Sequence, residues 1–315
     1  PCAPVALKKI LDIFISINYV KSSIFSRPIS SPSGDGMGRS ANSIPSGVAD
    51  FDSIIKGGFP AGSVVLLIGG VGAGQAEFAL TSAAKLSMVM ENPSSKAFLL
   101  GPAKDSTMPE QICYITFSRS RDEVLQELEF SFNKEFHDAF ERVVKFKDFS
   151  EAYFRKTLVP RSWTGGGPDS LFSSSSSKNV LESLVDYLDE NAPRSMVVID
   201  SLTDLVVSAN IDMTDLVAVL RGLQRVSKKW GGIIYLVLTE DVLDKRMQNM
   251  IMDSVDGALA FEWSRHHNTS RRQRYMYVEK FISLLPHLDK ERIARFATTV
   301  TARSGLVVID AERIV

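Results

Sequence analysis

Eight consecutive residues, Gly69, Gly70, Val71, Gly72, Ala73, Gly74, Gln75 and Ala76, have the glycine spacing of a phosphate-binding loop. In the working pattern, G-x-x-x-x-G-K-[ST], backbone N–H groups cradle phosphates, a lysine neutralises charge and a hydroxyl holds Mg²⁺. This chain keeps the glycines and replaces both chemical residues. Gln75 stands at the lysine position and Ala76 at the hydroxyl position. Losing the lysine should weaken triphosphate binding by about ten- to a hundredfold, since a hydrogen bond to a charged group contributes roughly 1.5–3 kcal/mol. The backbone nest and the helix N-terminus behind it still favour an anion. Asp200 is the second candidate, because an acid that ends an apolar strand faces the crevice at the carboxyl edge of a parallel sheet. The alternative reading of the same acid is a cap on the next turn.

The elements around these residues read as strand, loop and helix in alternation. Residues 64–68 (VVLLI) form a short β-branched run suited to a strand covered on both faces, and 76–90 follow the glycine loop as a helix. After an irregular stretch at 91–110, strands are expected at 112–117, about 142–146, 196–200 and 233–238. Helices are expected at 121–132, 179–190, 213–230 and 242–252, with Gly231 and Gly232 stopping the third. This order predicts an α/β fold with a mostly parallel central sheet flanked by helices. Residues 257–263 and 272–281 flank a polar loop as a C-terminal β-hairpin extension, and 305–309 add a last apolar run. The hairpin tip carries His266 and His267 beside several arginines, including Arg274, and reads as a solvated loop or as a grip for an acidic partner or nucleic acid.

Residues 1–43 are expected to be an N-terminal segment with a Ser/Pro/Gly-rich linker, and 44–315 one domain. Residues 7–20 would pack as a helix or strand on a neighbour, or serve as a peripheral anchor. Within the domain, about 158–178 hold Gly165, Gly166, Gly167 and five consecutive serines from Ser173, a composition of a mobile insertion rather than a core. The chain of 315 residues is 44% hydrophobic and 23% charged, with a formal charge of −1. That balance gives no electrostatic case for nucleic acid. Cys2 and Cys113 are too few for a disulfide framework and favour a reducing, cytoplasmic setting. No apolar run reaches 18 residues, so no transmembrane segment is expected.

Several motifs together resemble the KaiC-like branch of the RecA-superfamily ATPases. Residues 44–63 (IPSGVADFDSIIKGGFPAGS) are similar to that family's entry segment, Tyr114-Ile115-Thr116-Phe117 to its second strand, 197–203 (VVIDSLT) to its second nucleotide motif, and 274–281 (RYMYVEKF) to its late hairpin strand. The resemblance covers about 44–315 and implies a RecA-like P-loop fold. Single-domain relatives of this type are frequent in archaea, and the chain resembles a divergent paralogue.

The resemblance also shows what is missing. In the family, two glutamates follow the strand similar to YITF and are the prime candidates for the base that activates the attacking water, whereas Ser118 and Arg119 stand here; neither can serve as a base near neutral pH. The family's hairpin carries a lysine and, two residues on, an arginine that reach a neighbouring subunit's nucleotide. Lys280 matches the first, and Ile282 replaces the second. The implied protein is a regulatory or assembly protein, for instance in signal transduction, that binds ATP or ADP weakly and does not hydrolyse it fast. Mg²⁺ on Asp200 is the metal site only if the ancestral role survives. Arg119 either supplies the charge that Gln75 does not, or is a solvated arginine opening a helix beside Asp122 and Glu123. The expected partners are copies of itself, in a ring or smaller oligomer, and a signalling protein. An ATPase with a rebuilt site and a nucleic-acid-binding recombination relative are the alternatives.

Overall fold

The computed structural model describes residues 42–155, 157–160, 163, 179–208, 211–265, 272–290 and 293–313. The segment 7–20, nearly all of the insertion at 158–178 and the tip at 266–271 lie outside the described residues, so the expectations placed on them do too.

The chain enters through strand β1 (Ser43–Ile44), helix α1 (Ala49–Ile54) and strand β2 (Phe59–Pro60), then runs into β3 (Ser63–Gly69) and α2 (Gln75–Glu91). The stretch expected to be irregular holds a short helix, α3 (Lys96–Leu100), between two 3-10 turns. Next come β4 (Gln111–Thr116), α4 (Arg121–Ser131), α5 (Lys134–Val143), β5 (Lys145–Asp148) and α6 (Ser150–Phe154). The strand expected from 142 starts later because α5 precedes it. Asn133 caps that helix by accepting from Phe136 N–H, and Phe136 and Phe140 are buried at helical spacing.

After α7 (Val180–Asn191) the chain continues through β6 (Ser195–Asp200), α8 (Leu202–Val207), α9 (Met213–Trp230), β7 (Ile233–Thr239) and α10 (Lys245–Asp253). It ends with β8 (Gly257–Arg265), β9 (Arg272–Phe281), α11 (Leu285–Lys290), β10 (Ile293–Thr301) and β11 (Gly305–Arg313). The expected hairpin β8–β9 is therefore followed by a second, β10–β11. Its first strand was hidden because IARFATTVT buries three consecutive residues, Phe296, Ala297 and Thr298, and carries three threonines rather than alternating apolar and polar.

Nine strands form one sheet in the order β11-β10-β9-β8-β3-β7-β6-β4-β5. The six from β8 to β5 are parallel, and β9, β10 and β11 are antiparallel additions. Side chains alternate across a strand, so each central strand serves two cores. Val65, Leu67, Tyr235, Val198 and Tyr114 pack with α1, α2, α4 and α5, whereas Val64, Leu66, Leu236, Val197 and Ile115 pack with α7, α8, α9 and α10. Gly69, Thr239, Asp200 and Thr116 all lie at the carboxyl ends of adjacent strands. The turn into β11 reaches back to the helix behind the glycine loop. Leu306 N–H donates to Thr81 Oγ1 at 2.8 Å across 225 positions, and Gly305 leaves no room for a side chain against Thr81.

One buried acid links the entry segment to α2. Asp52 is fully buried, accepts from Ser46 N–H at 3.0 Å on each oxygen, and lies near Lys85, itself 8% exposed. Burial pushes the Asp52 carboxyl up to about 7, against the opposing pull of Ser46, Gly47 and Lys85. The folded chain then holds a proton that the unfolded chain releases near pH 4, so this contribution to stability is complete at low pH and is lost as pH rises through about 7. Urea unfolding across pH 4–8 should show a decline of at most about 4 kcal/mol from this group, and Asp52→Asn should remove that slope. An unchanged slope in the variant would assign the pH dependence to other groups.

Candidate functional site

The turn from β3 into α2 places the glycine loop at the carboxyl edge, with the first N–H groups of a 17-residue helix opening toward it. Gly74 takes φ 127°, a conformation side-chain-bearing residues avoid. Gly69 is required by close approach, since a Cβ there would meet the Phe261 carbonyl oxygen at 2.7 Å. Ala73, Gly74 and Gln75 are buried, while Val71 at the crest is 87% exposed.

Gln75 turns into the loop. Its Nε2 donates to the carbonyls of Gly69 and Gly70, both at 3.1 Å, while its buried Oε1 has no hydrogen-bond partner. Glu240 N–H also donates to the Gly69 carbonyl, at 2.8 Å. An amide thus crosslinks the loop where a lysine would carry charge. Ala76 opens the helix and offers no ligand oxygen.

Three strands away, parallel pairing sets Thr116 beside Asp200, and Tyr114 shares their face of the sheet. Asp200 Oδ2 accepts from Tyr114 Oη at 2.6 Å and from Arg119 Nη1 at 3.2 Å. Arg119 also pairs with Glu127 on α4. Arg119 therefore faces inward, ion-paired with Asp200 and Glu127 and with 32% of its side chain exposed. Glu123 completes a capping box with Ser120. Burial pushes the Asp200 carboxyl up, while Tyr114 and Arg119 pull it down. The Tyr114 hydroxyl is held well above its ordinary value by burial and by Asp200. Burial works against the Arg119 charge, yet Asp200 raises it overall. Ser118 donates to Asp204 at 3.1 Å.

Mg²⁺ does not fit this donor set. The candidate carboxylate already serves a guanidinium and a phenol, the loop supplies no hydroxyl, and among the described residues no group of three or more His, Cys, Asp or Glu side chains converges for a metal. Phosphate fits better, because helix N–H groups and glycine backbone ask nothing of Gln75 or Ala76.

Lys280 lies at the other edge of the sheet. It pairs with Ala258 near the start of β8, six residues along β9 from Arg274, which is about 20 Å. Its Nζ donates to the carbonyls of Met252, Asp253 and Val255 at 2.9, 3.0 and 2.8 Å, closing the C-terminal end of α10 within its own chain. Ile282, just past β9, is 83% exposed.

Sequence reasoning missed the cation that does touch the loop. Arg274 lies in β9, within the strand expected over 272–281, opposite Trp263 of β8. Its Nε donates to the Gly72 carbonyl at 3.0 Å, its Nη2 reaches Glu77 at 3.4 Å, and its guanidinium lies 4.5 Å from the centroid of the Trp263 ring. The signal was the strand register, which sends Arg274 and Met276 to the α2 side of the sheet. Tyr114 was legible in the same way, two residues before Thr116 on one face.

No family model and no curated protein matches the chain. Among solved structures, a KaiC-like protein from the hyperthermophilic archaeon Pyrococcus horikoshii OT3 superposes with a TM-score of 0.57 at 18% identity, covering 86% of this chain and 100% of that one. The fold is KaiC-like. Its glycine loop and Asp200 fall at the carboxyl edge of the parallel strands, and the α/β architecture expected from sequence is the one found. Among the described residues no helix is long and apolar enough to cross a membrane.

Removing Arg119 should leave Asp200 as an uncompensated buried charge. Arg119→Ala is expected to lower stability by about 2–3 kcal/mol, below the full cost of a broken buried pair because the arginine is partly exposed. Asp200→Asn in that background should recover most of the loss. A double-mutant cycle in urea measures this, and a coupling below about 0.5 kcal/mol would mean that the ion pair contributes nothing.

Proposed function

We propose that this chain is a non-hydrolysing KaiC-like protein of the RecA superfamily. It binds a nucleotide or phosphate weakly and without metal, and acts as a regulatory or assembly protein. The observation that carries this reading is the Arg119–Asp200 ion pair. A cation occupies the place where the resemblance expects a general base, and it takes up the carboxylate expected to serve Mg²⁺. Hydrolysis needs that base, that metal and a neighbour's charge. Glu127 and Tyr114 fix the replacement network, so restoring one residue of the loop does not free the acid.

The remaining surface supports binding without turnover: a backbone nest, a helix N-terminus, and Arg274 as a cation beside the loop. Residues 44–315 are proposed as the functional domain, acting on partners through shape. Signal transduction and a ring or smaller homo-oligomer are the settings the fold suggests. Lys280 is committed to its own α10, so any assembly of copies draws its contacts from elsewhere.

Calorimetry with ATP in Mg²⁺ and in EDTA, beside a phosphate-release assay, tests the reading. ATP affinity should agree within about twofold in the two buffers, with release at the buffer background. Gln75→Lys with Ala76→Thr should gain about tenfold in ATP affinity and still show no turnover. Mg²⁺-dependent release that disappears in Asp200→Ala would make the protein an ATPase after all.

A further inference from the structure

Beside the glycine loop stands an aromatic ring that the fold does not consume. Trp263 is 39% exposed near the carboxyl end of β8, at the edge that carries the loop. Its Nε1 lies 4.0 Å from where a Cβ on Gly72 would sit, so the indole edge borders the loop directly. The Arg274 guanidinium covers one ring face and is itself tied to the Gly72 carbonyl and Glu77. The bonds to Gly72 and Glu77 hold the guanidinium against the indole, which stays partly exposed beside Gly72.

We infer that Trp263 is a stacking platform for the base of a nucleoside phosphate whose phosphates lie in the glycine loop, with Arg274 as the residue that positions the ring. This rests on the proposal that the loop holds phosphate. The chemistry matches what the loop lacks. With Gln75 turned inward, the phosphates gain no charge from the usual position, and the indole supplies binding free energy that is indifferent to metal. Every base has a π-face, and one base–aromatic stack raises affinity about tenfold. Such a platform favours a purine for its larger ring area and reads no hydrogen-bond edge. The site then holds a nucleotide by its two ends: backbone N–H groups for the phosphates and an indole for the base.

Full-length protein in EDTA, titrated by calorimetry with ATP and separately with inorganic tripolyphosphate, tests this. ATP should bind about tenfold tighter than tripolyphosphate, the ratio one stack gives. Trp263→Ala should erase that ratio while leaving tripolyphosphate affinity unchanged, and Trp263→Phe should keep most of it. In indole emission, ATP but not tripolyphosphate should quench the component that Trp263→Phe removes. Equal affinities for the two ligands, or a ratio that survives in Trp263→Ala, would overturn the platform and leave the phosphate loop standing. Binding of neither ligand would overturn the phosphate reading and the platform together.

Discussion

A carboxylate buried at the end of a β-strand must find positive charge or protonate, and the rest of this site follows from how Asp200 solves that problem. Taking its charge out of water costs several kcal/mol, which a partner at hydrogen-bond distance can offset. In this chain the partner is internal. Arg119 and Tyr114 converge on a single oxygen, and Glu127 secures the arginine from α4. The acid is thereby a structural tie between β4, β6 and α4. A residue that holds three elements together is not also available to exchange ligands.

The glycine loop shows the same economy. Gln75 satisfies two loop carbonyls, Glu240 another lone pair, and Arg274 the Gly72 carbonyl, so the loop keeps its shape by bonds within the chain. In a working phosphate loop, bound ligand and metal supply part of that order. Here bonds from Gln75, Glu240 and Arg274 supply that order from within the chain. The unpaired Oε1 of Gln75 is the small cost of this arrangement.

Much of this was legible in the residues themselves. The β-branched run of β3, the glycines after it and the Gly231 stop of α9 announced parallel strand, loop and helix, because each depends on local backbone preference and period. The substituted chemistry at Gln75, Ala76, Ser118 and Arg119 was equally plain. Direction was not legible. That Arg119 turns to Asp200, 81 positions away, or that Arg274 lies over Trp263, depends on strand order and register, which no local window encodes. The helix α5 and the strand β10 were obscured for a simpler reason. Val143 and Val144 imitate the start of a strand, and the threonines of β10 blur its alternation.

The bond from Leu306 to Thr81 bears on when the site comes into being. Residues of the loop and of α2 leave the ribosome early, but the strand that closes over them follows 225 positions later. A contact of that span contributes nothing until the intervening chain has been ordered, and it slows folding accordingly. During synthesis the nest of N–H groups is therefore exposed and unsupported while most of the sheet is still being made. Completion of the second hairpin adds the last of these ties, to Thr81 on the helix behind the loop.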